Sequence, residues 1–272
     1  MTNYLDKFKL QDKTAYVVGG LGLIGKEVSK AFSSAGAKTI ILDTNDIKGK
    51  SIIEEFSNKN LDVFYRDFNC AKSETLEDEL PIIVKEYGLP DIFINCSYPR
   101  TADWASSNFK DINLESFKLN IEMQLISYAW LSRLIAELMF KNKISGSIIH
   151  LSSIYGKVAQ DLSVYKNTTI KENMAYPIIK GGLISLTRQM ASFYGKNNIR
   201  TNNICPGGLI GHVAGSDKGQ DDIFVKQYTE KVPLKRMGKN SEVASVALFL
   251  ASNASTYING STITVDGGWT IV

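Results

Sequence analysis

Short apolar runs rich in β-branched residues alternate along the chain with longer segments of helical period. "TAYVVGG" reads as a buried strand, and "GKEVSKAFSSAGA" behind it as a helix with Val28, Ala31, Phe32 and Ala35 on one face. "KTIILD", "LDVFYRD", "DIFINCS", "GSIIHLSS", "IRTNNICPGG" and "STITVDGG" supply further strands. Between them, "IKGKSIIEEFSNKN", "SETLEDELPIIVKEYG", "PIIKGGLISLTRQMASFYG" and "NSEVASVALFLAS" read as helices. "LESFKLNIEMQLISYAWLSRLIAELMFKN" keeps helical period toward Gly146 and predicts one long helix. Strands buried on both faces and alternating with helices require a parallel sheet covered on either side. The expectation is an α/β, doubly wound parallel sheet. Residues 1–272 read as a single domain, because no linker, low-complexity stretch or solenoid repeat divides them.

Composition narrows the class without choosing a function. Of the 272 residues, 44% are hydrophobic and 22% charged, as in a soluble globular protein with a sizeable core. A net charge of +3, spread along the chain, gives no argument for nucleic acid or a membrane surface as partner. No secretory signal or membrane span is expected. Cys70, Cys96 and Cys205 are too scattered for a disulfide framework or a metal pair, and His150 and His212 are too few for a histidine metal site. No metal is expected, and the reducing cytoplasm is the expected address.

The stretch "VVGGLGLIGKEV" joins the first strand to the first helix and can be read at three glycine spacings. Gly20, Gly22 and Gly25 form one triplet and Gly19, Gly22 and Gly25 another; the third spacing would need a glycine at Leu23. A glycine turn here lets backbone N–H groups approach a pyrophosphate at a helix N-terminus. Asp43 ends the second strand, where a carboxylate accepts from ribose hydroxyls and repels a 2′-phosphate. That favours NAD over NADP, although Lys48 lies nearby. A helix cap or surface acid is the plain alternative for Asp43.

Tyr176 and Lys180 form the only Tyr-x-x-x-Lys in the chain and open the helix that follows the "HLSS" strand. Residues four apart on a helix face the same way. An adjacent ammonium lowers a tyrosine's pKa toward general acid–base use, and a hydroxyl such as Ser153 can hold a carbonyl oxygen.

With these motifs in order, the chain resembles a short-chain dehydrogenase/reductase along almost its whole length, which implies a Rossmann-type fold and a nicotinamide cofactor. "RDF" stands where the family's aspartate meets the adenine, "INCS" where it has Asn-Asn-Ala-Gly, and "CPGG" at its Pro-Gly turn against the nicotinamide. The resemblance implies a catalytic tetrad of Asn120, Ser153, Tyr176 and Lys180, with Ser152 as the rival serine. It implies cofactor contacts at Gly19, Gly22, Leu23, Ile24, Gly25, Asp43, Asp67, Phe68, Asn95, Tyr176, Lys180, Pro206, Gly207 and Leu209. Tyr176 would exchange a proton with the substrate oxygen, Lys180 would hold the nicotinamide ribose, and Asn120 would keep a relay water.

Four departures from the family pattern stand out. Tyr98 occupies a glycine position, after Asn95, Cys96 and Ser97. The segment "KVAQDLSVYKNTTIKEN" widens the gap between Ser153 and Tyr176, and reads either as a surface loop or as a substrate wall. In the second case Gln160, Asp161, Lys166 and Lys171 would meet a polar or anionic group. Gly211 replaces an expected threonine, so Leu209 and Ile210 backbone would receive the nicotinamide carboxamide. "TADWASSNFKDI" lengthens the loop after the fourth strand, and makes Trp104, with Tyr98 and Gln160, a candidate substrate contact.

The expected activity is alcohol–carbonyl interconversion on a small polar substrate, with a sugar derivative, as in carbohydrate biosynthesis, the leaning. Reduction of a 3-oxoacyl thioester and a catalytically silent nucleotide-binding protein are the alternatives. The resemblance also implies a homodimer or homotetramer packed on the long helices.

Overall fold

Alternate residues of the first strand, β1 (Thr14–Val18), enter two different cores. Tyr16 and Val18 pack on one side of the sheet, Ala15 and Val17 on the other, and all four are buried. The inner strands β2 (Lys38–Asp43), β4 (Ile92–Asn95), β5 (Ser147–Leu151) and β6 (Arg200–Pro206) are likewise mostly buried, and the edge strands β3 (Val63–Asp67) and β7 (Thr262–Val265) less so; together they complete one seven-stranded sheet. The order is β3-β2-β1-β4-β5-β6-β7, and every neighbouring pair is parallel. The computed structural model describes residues 3–211 and 219–272. His212, one of the two histidines behind the metal argument, lies outside the described residues.

Helices α1 (Leu23–Ser34), α2 (Asp46–Ser57), α3 (Leu76–Tyr87), α4 (Leu114–Ile121), α5 (Ser127–Lys141), α6 (Ala175–Tyr194), α7 (Asp222–Lys231) and α8 (Asn240–Ala251) complete the described elements longer than a turn or two. Leu80 and Ile83 of α3, Leu131, Ile135 and Met139 of α5, and Met190 and Tyr194 of α6 cover one face. Val28 and Phe32 of α1 and Val243, Ala247 and Leu250 of α8 cover the other. The doubly wound, Rossmann-type sheet expected from the alternation is therefore present. The chain runs outward from β1 to β3, then returns beside β1 as β4, so a crevice opens at the carboxyl ends of β1 and β4.

One element differs from its expected form. The run read as a single long helix is two helices, α4 and α5, joined by a π turn over Glu122–Ile126. An extra residue in a turn shifts helical phase by about 100°. The shift lets α4 keep Ser116 and Asn120 buried toward the crevice while α5 keeps its apolar stripe on the sheet. A period count over the whole run averages the two phases and hides the break. Among the described residues, no helix is long and apolar enough to cross a membrane.

Candidate active site

The glycine turn lies against the turn after β4. A Cβ on Gly19 would meet the Ser97 nitrogen at 2.5 Å, and its φ of +71° lies in the left-handed region open to glycine. A Cβ on Gly25 would stand 2.1 Å from the Gly19 carbonyl oxygen, so the ends of the loop close on each other. Gly22 is exposed at the mouth and caps α1 with no side-chain hydrogen bond, and the Leu23 and Ile24 N–H groups follow it in the first helical turn. The spacing that the fold requires is Gly19 to Gly25; the middle glycine keeps the approach open.

Asp43 sits beside this turn, and its carboxylate accepts from the Leu21 N–H at 2.9 Å and the Thr44 N–H at 2.8 Å. Asp67 ends β3 in register with it, and the buried Phe68 donates its N–H to the Asp43 carbonyl at 3.0 Å. Asn95, at the end of β4, accepts from the Ser97 N–H and hydroxyl at 3.0 and 2.7 Å. Its buried Nδ2 has no partner among the described residues. Open N–H groups at a helix start, a ribose-height carboxylate and an orphaned amide donor along one crevice fit a dinucleotide. Bound there, a nicotinamide cofactor would supply hydride transfer.

Beyond the ends of β5 and β6 the structure separates the two serines. Ser152 donates to the Lys180 carbonyl at 2.6 Å and is committed to holding α6. Ser153 presents its hydroxyl to Tyr176, and that hydrogen bond pulls the Tyr176 pKa down. Gly156 makes the juxtaposition possible, since a Cβ there would meet the Lys180 carbonyl carbon at 2.7 Å. Burial is the larger influence on Tyr176 and holds its hydroxyl above the ordinary value, and the group that lowers it is the Ser153 hydroxyl rather than the ammonium expected to do so. Burial also pushes the Lys180 ammonium down to about 8, and its Nζ donates to the Leu151 carbonyl at 3.1 Å.

Asn120 reaches the same region from α4. Its Nδ2 donates to the Thr101 hydroxyl and the Ser116 carbonyl, both at 2.8 Å, and its Oδ1 accepts from the Thr101 N–H at 3.3 Å. Thr101 belongs to the lengthened loop, so that loop is anchored on the expected tetrad. Pro206 ends β6, and the Gly207 N–H donates to the Val265 carbonyl at 2.9 Å. The backbone of Leu209 and Ile210 is less open than the sequence implies. The Leu209 carbonyl accepts from Gln220 at 2.9 Å, and the Ile210 N–H donates to Gly238 at 2.8 Å.

Three aromatic rings stand edge-on around Tyr176, that of Tyr155 at 6.5 Å among them. Tyr98 lies 5.8 Å and Trp104 6.4 Å from its ring centre, and the two are 5.7 Å from each other. Gln160, by contrast, turns to its own loop: its Nε2 donates to the Asn173 carbonyl at 2.8 Å and its Oε1 accepts from the Asn173 N–H at 3.1 Å. Asp161 pairs with Lys231, which holds its carboxyl down to about 2. Lys171 pairs with Asp111 at 2.7 Å. The insert is thus stapled to α7 and to the loop after β4, and Asp161 and Lys171, two of the three charges expected to face a substrate, are spent on that stapling.

Three residues that sequence reasoning passed over organise the site. Asn173 accepts from the Tyr176 N–H at 2.8 Å and donates to the Trp104 carbonyl at 3.5 Å. Thr101 holds Asn120, and the fully buried Tyr128 donates to the Asn95 and Ser97 carbonyls. The one sequence signal was Tyr128 itself, a polar tip on the core face of an apolar helix.

The comparisons agree with this geometry. A family model described as enoyl-(acyl carrier protein) reductase matches residues 22–270. The post-translational flagellin modification protein A of Campylobacter coli is 28% identical over 96% of this chain and 99% of its own length. The 3-oxoacyl-[acyl-carrier-protein] reductase FabG of Chlamydia muridarum is 30% identical over 95% of this chain and 98% of its own. The crystal structure of a short chain dehydrogenase from Leptospira borgpetersenii with bound NAD+ superposes with a TM-score of 0.81, at 27% identity over 99% of this chain and 96% of that one. The chain belongs to the short-chain dehydrogenase/reductase family, NAD(P)-dependent oxidoreductases that act on CH–OH groups.

Proposed function

We propose that the protein interconverts an alcohol and a carbonyl on a small polar substrate, a sugar or sugar derivative, with NAD as the preferred cofactor. The observation that carries the reaction is the meeting of Ser153, Tyr176 and Lys180 beyond the sheet's carboxyl end, beside the glycine turn. Tyr176 gives a proton to the substrate oxygen or takes one from it, and Ser153 orients that oxygen. Lys180 supports the tyrosine and the nicotinamide ribose, and Asn120 holds the relay water. These intact groups speak against a catalytically silent nucleotide binder.

The rings of Tyr98 and Trp104 beside Tyr176 support a sugar, whose C–H faces pack on aromatic ring faces. Gln160 serves this site by shaping the rim rather than by direct contact. Asp43 supports NAD, since its carboxylate stands where a 2′-phosphate would bring more negative charge. A second reading, reduction of a 3-oxoacyl thioester, draws on the Chlamydia relative's name. We further place the protein in the cytoplasm, on its free cysteines, as a homodimer or homotetramer. Exposed Leu119, Ile126, Trp130, Phe140, Ile178 and Phe193 on or between α4, α5 and α6 support the assembly. The test is a turnover screen of sugar phosphates, nucleotide sugars, polyols and oxoacyl thioesters, read at the nicotinamide absorbance. Turnover confined to the thioesters would overturn the sugar reading in favour of the second.

A further inference from the structure

Lys180 brings three donors into a position only 6% exposed. One of them reaches the Leu151 carbonyl of β5 at 3.1 Å. What surrounds the rest is aromatic. Nζ lies 5.6 Å from the ring centre of Tyr176 on its own helix, 5.8 Å from that of Tyr128 on α5, and 5.8 Å from that of Tyr98 after β4. The other titratable groups acting on it are the thiols of Cys96, after β4, and Cys205, on β6; no carboxylate stands among them in the described residues. Buried lysines are normally held by a paired charge. Aromatic faces can take that place, because the ring quadrupole attracts a desolvated cation.

Two of the three rings have other duties: Tyr176 carries the proposed proton exchange, and Tyr128 donates to the Asn95 and Ser97 carbonyls. Tyr98 is the ring this sequence adds, at a place where a glycine is expected. It is fixed there by the edge-on indole of Trp104, 5.7 Å from ring to ring, and by the guanidinium of Arg100, 5.2 Å from its ring centre.

Resting on the Tyr176–Lys180 reading above, we propose that Tyr98 is a positioning residue whose ring closes a cage of three tyrosines and holds the Lys180 ammonium beside Tyr176 without a carboxylate. The cage stabilises only the charged form of Lys180. Removing the Tyr98 ring therefore makes the lysine give up its proton at lower pH, while removing the hydroxyl alone does not.

The test follows Lys180 by carbon-13 NMR in protein with labelled lysine side chains, without substrate or dinucleotide. Lys180→Met assigns the signal, and thermal melts establish that each variant is folded. Wild type and Tyr98→Phe titrate together, and Tyr98→Leu titrates about 0.5 to 1 pH unit lower. Tyr98→Met serves in its place if the leucine variant does not fold. Titration of the ringless variant with wild type overturns the proposal, as does a phenylalanine variant that falls as far as the ringless one. A failed substrate screen leaves this result standing, and a failure here leaves the proposed reaction in place.

Discussion

The same strands present two very different ends. Around the amino ends of β1, β4, β5 and β6 lies a hollow of about 700 Å³, lined among others by Lys13, Asp91, Asn198, Arg200 and Asn259. Its charges are already matched: Lys13 pairs with Asp91 at 2.9 Å, and Arg200 donates to the carbonyls of Leu250 and Ile258 at 2.8 and 3.3 Å. The carboxyl ends instead carry a backbone in the left-handed region at Gly19, an orphaned amide at Asn95 and a caged ammonium at Lys180. Polar groups that meet one another stabilise a fold; groups left waiting are what a ligand can satisfy. A hollow alone does not mark the functional end.

Substitutions at the two ends should part turnover from stability. The largest effect is expected from Tyr176→Phe, which lowers turnover by about 10² to 10⁴-fold while dinucleotide binding, followed by thermal shift, stays close to wild type. Retained turnover in that variant would remove Tyr176 from the mechanism. At the opposite end, Arg200→Met should cost about 2 kcal/mol in urea melts by removing the charged donors to the Leu250 and Ile258 carbonyls, with turnover per folded molecule unchanged. A turnover loss there would join the two ends functionally and break the contrast.

Between the ends, β5 carries His150, fully buried, with its Nδ1 2.8 Å from the Thr187 hydroxyl and its Nε2 3.0 Å from that of Ser132. Burial pushes its pKa from the ordinary 6.5 down to about 4. The unfolded chain therefore binds the extra proton first as pH falls. Stability from this group is complete above about pH 6.5 and falls away toward pH 4, by about 2 kcal/mol between pH 7 and 5. Urea melts of wild type and His150→Gln across that range check it, the glutamine variant lacking this part of the slope.

Smaller effects sharpen the carboxyl-end picture. Asp43→Ala should weaken NAD by about tenfold and narrow its advantage over NADP in thermal-shift titrations. A wild-type protein that melts higher with NADP than with NAD at equal concentration would reverse the cofactor assignment. Lys231→Ala opens an exposed pair with Asp161 and should change stability by less than about 1 kcal/mol. A larger effect on turnover would show that the stapled insert governs the site.

The contrast also explains what the amino-acid sequence made legible. Strand alternation, the glycine turn and Asp43 could be read because backbone geometry ties them to fixed places: a glycine before a helix, an acid at a strand end. Ser152 and Ser153 could be ranked only by spacing, since which hydroxyl turns to Tyr176 depends on Gly156 packing against α6. The inserts were harder still. Gln160, Asp161 and Lys171 advertised polar contacts, and their partners Asn173, Lys231 and Asp111 lie 13, 70 and 60 residues away. Side chains on loops choose among many partners, and local sequence does not name the winner.

The π turn at Glu122–Ile126 carries a last consequence, for insertions and deletions. The loops around Trp104 and Asp161 are surface segments, and surface segments absorb changes in length readily. One residue lost between 122 and 126 would heal the wide turn into ordinary helix with both flanks keeping their faces, whereas one residue lost from the first turn of α5 would rotate one flank by about 100° against the other. Either Asn120 would leave Thr101, or Leu131, Ile135 and Met139 would leave the sheet. The wide turn is thus a place where the run can shorten by one residue without turning either face away, and the regular helix beside it is not.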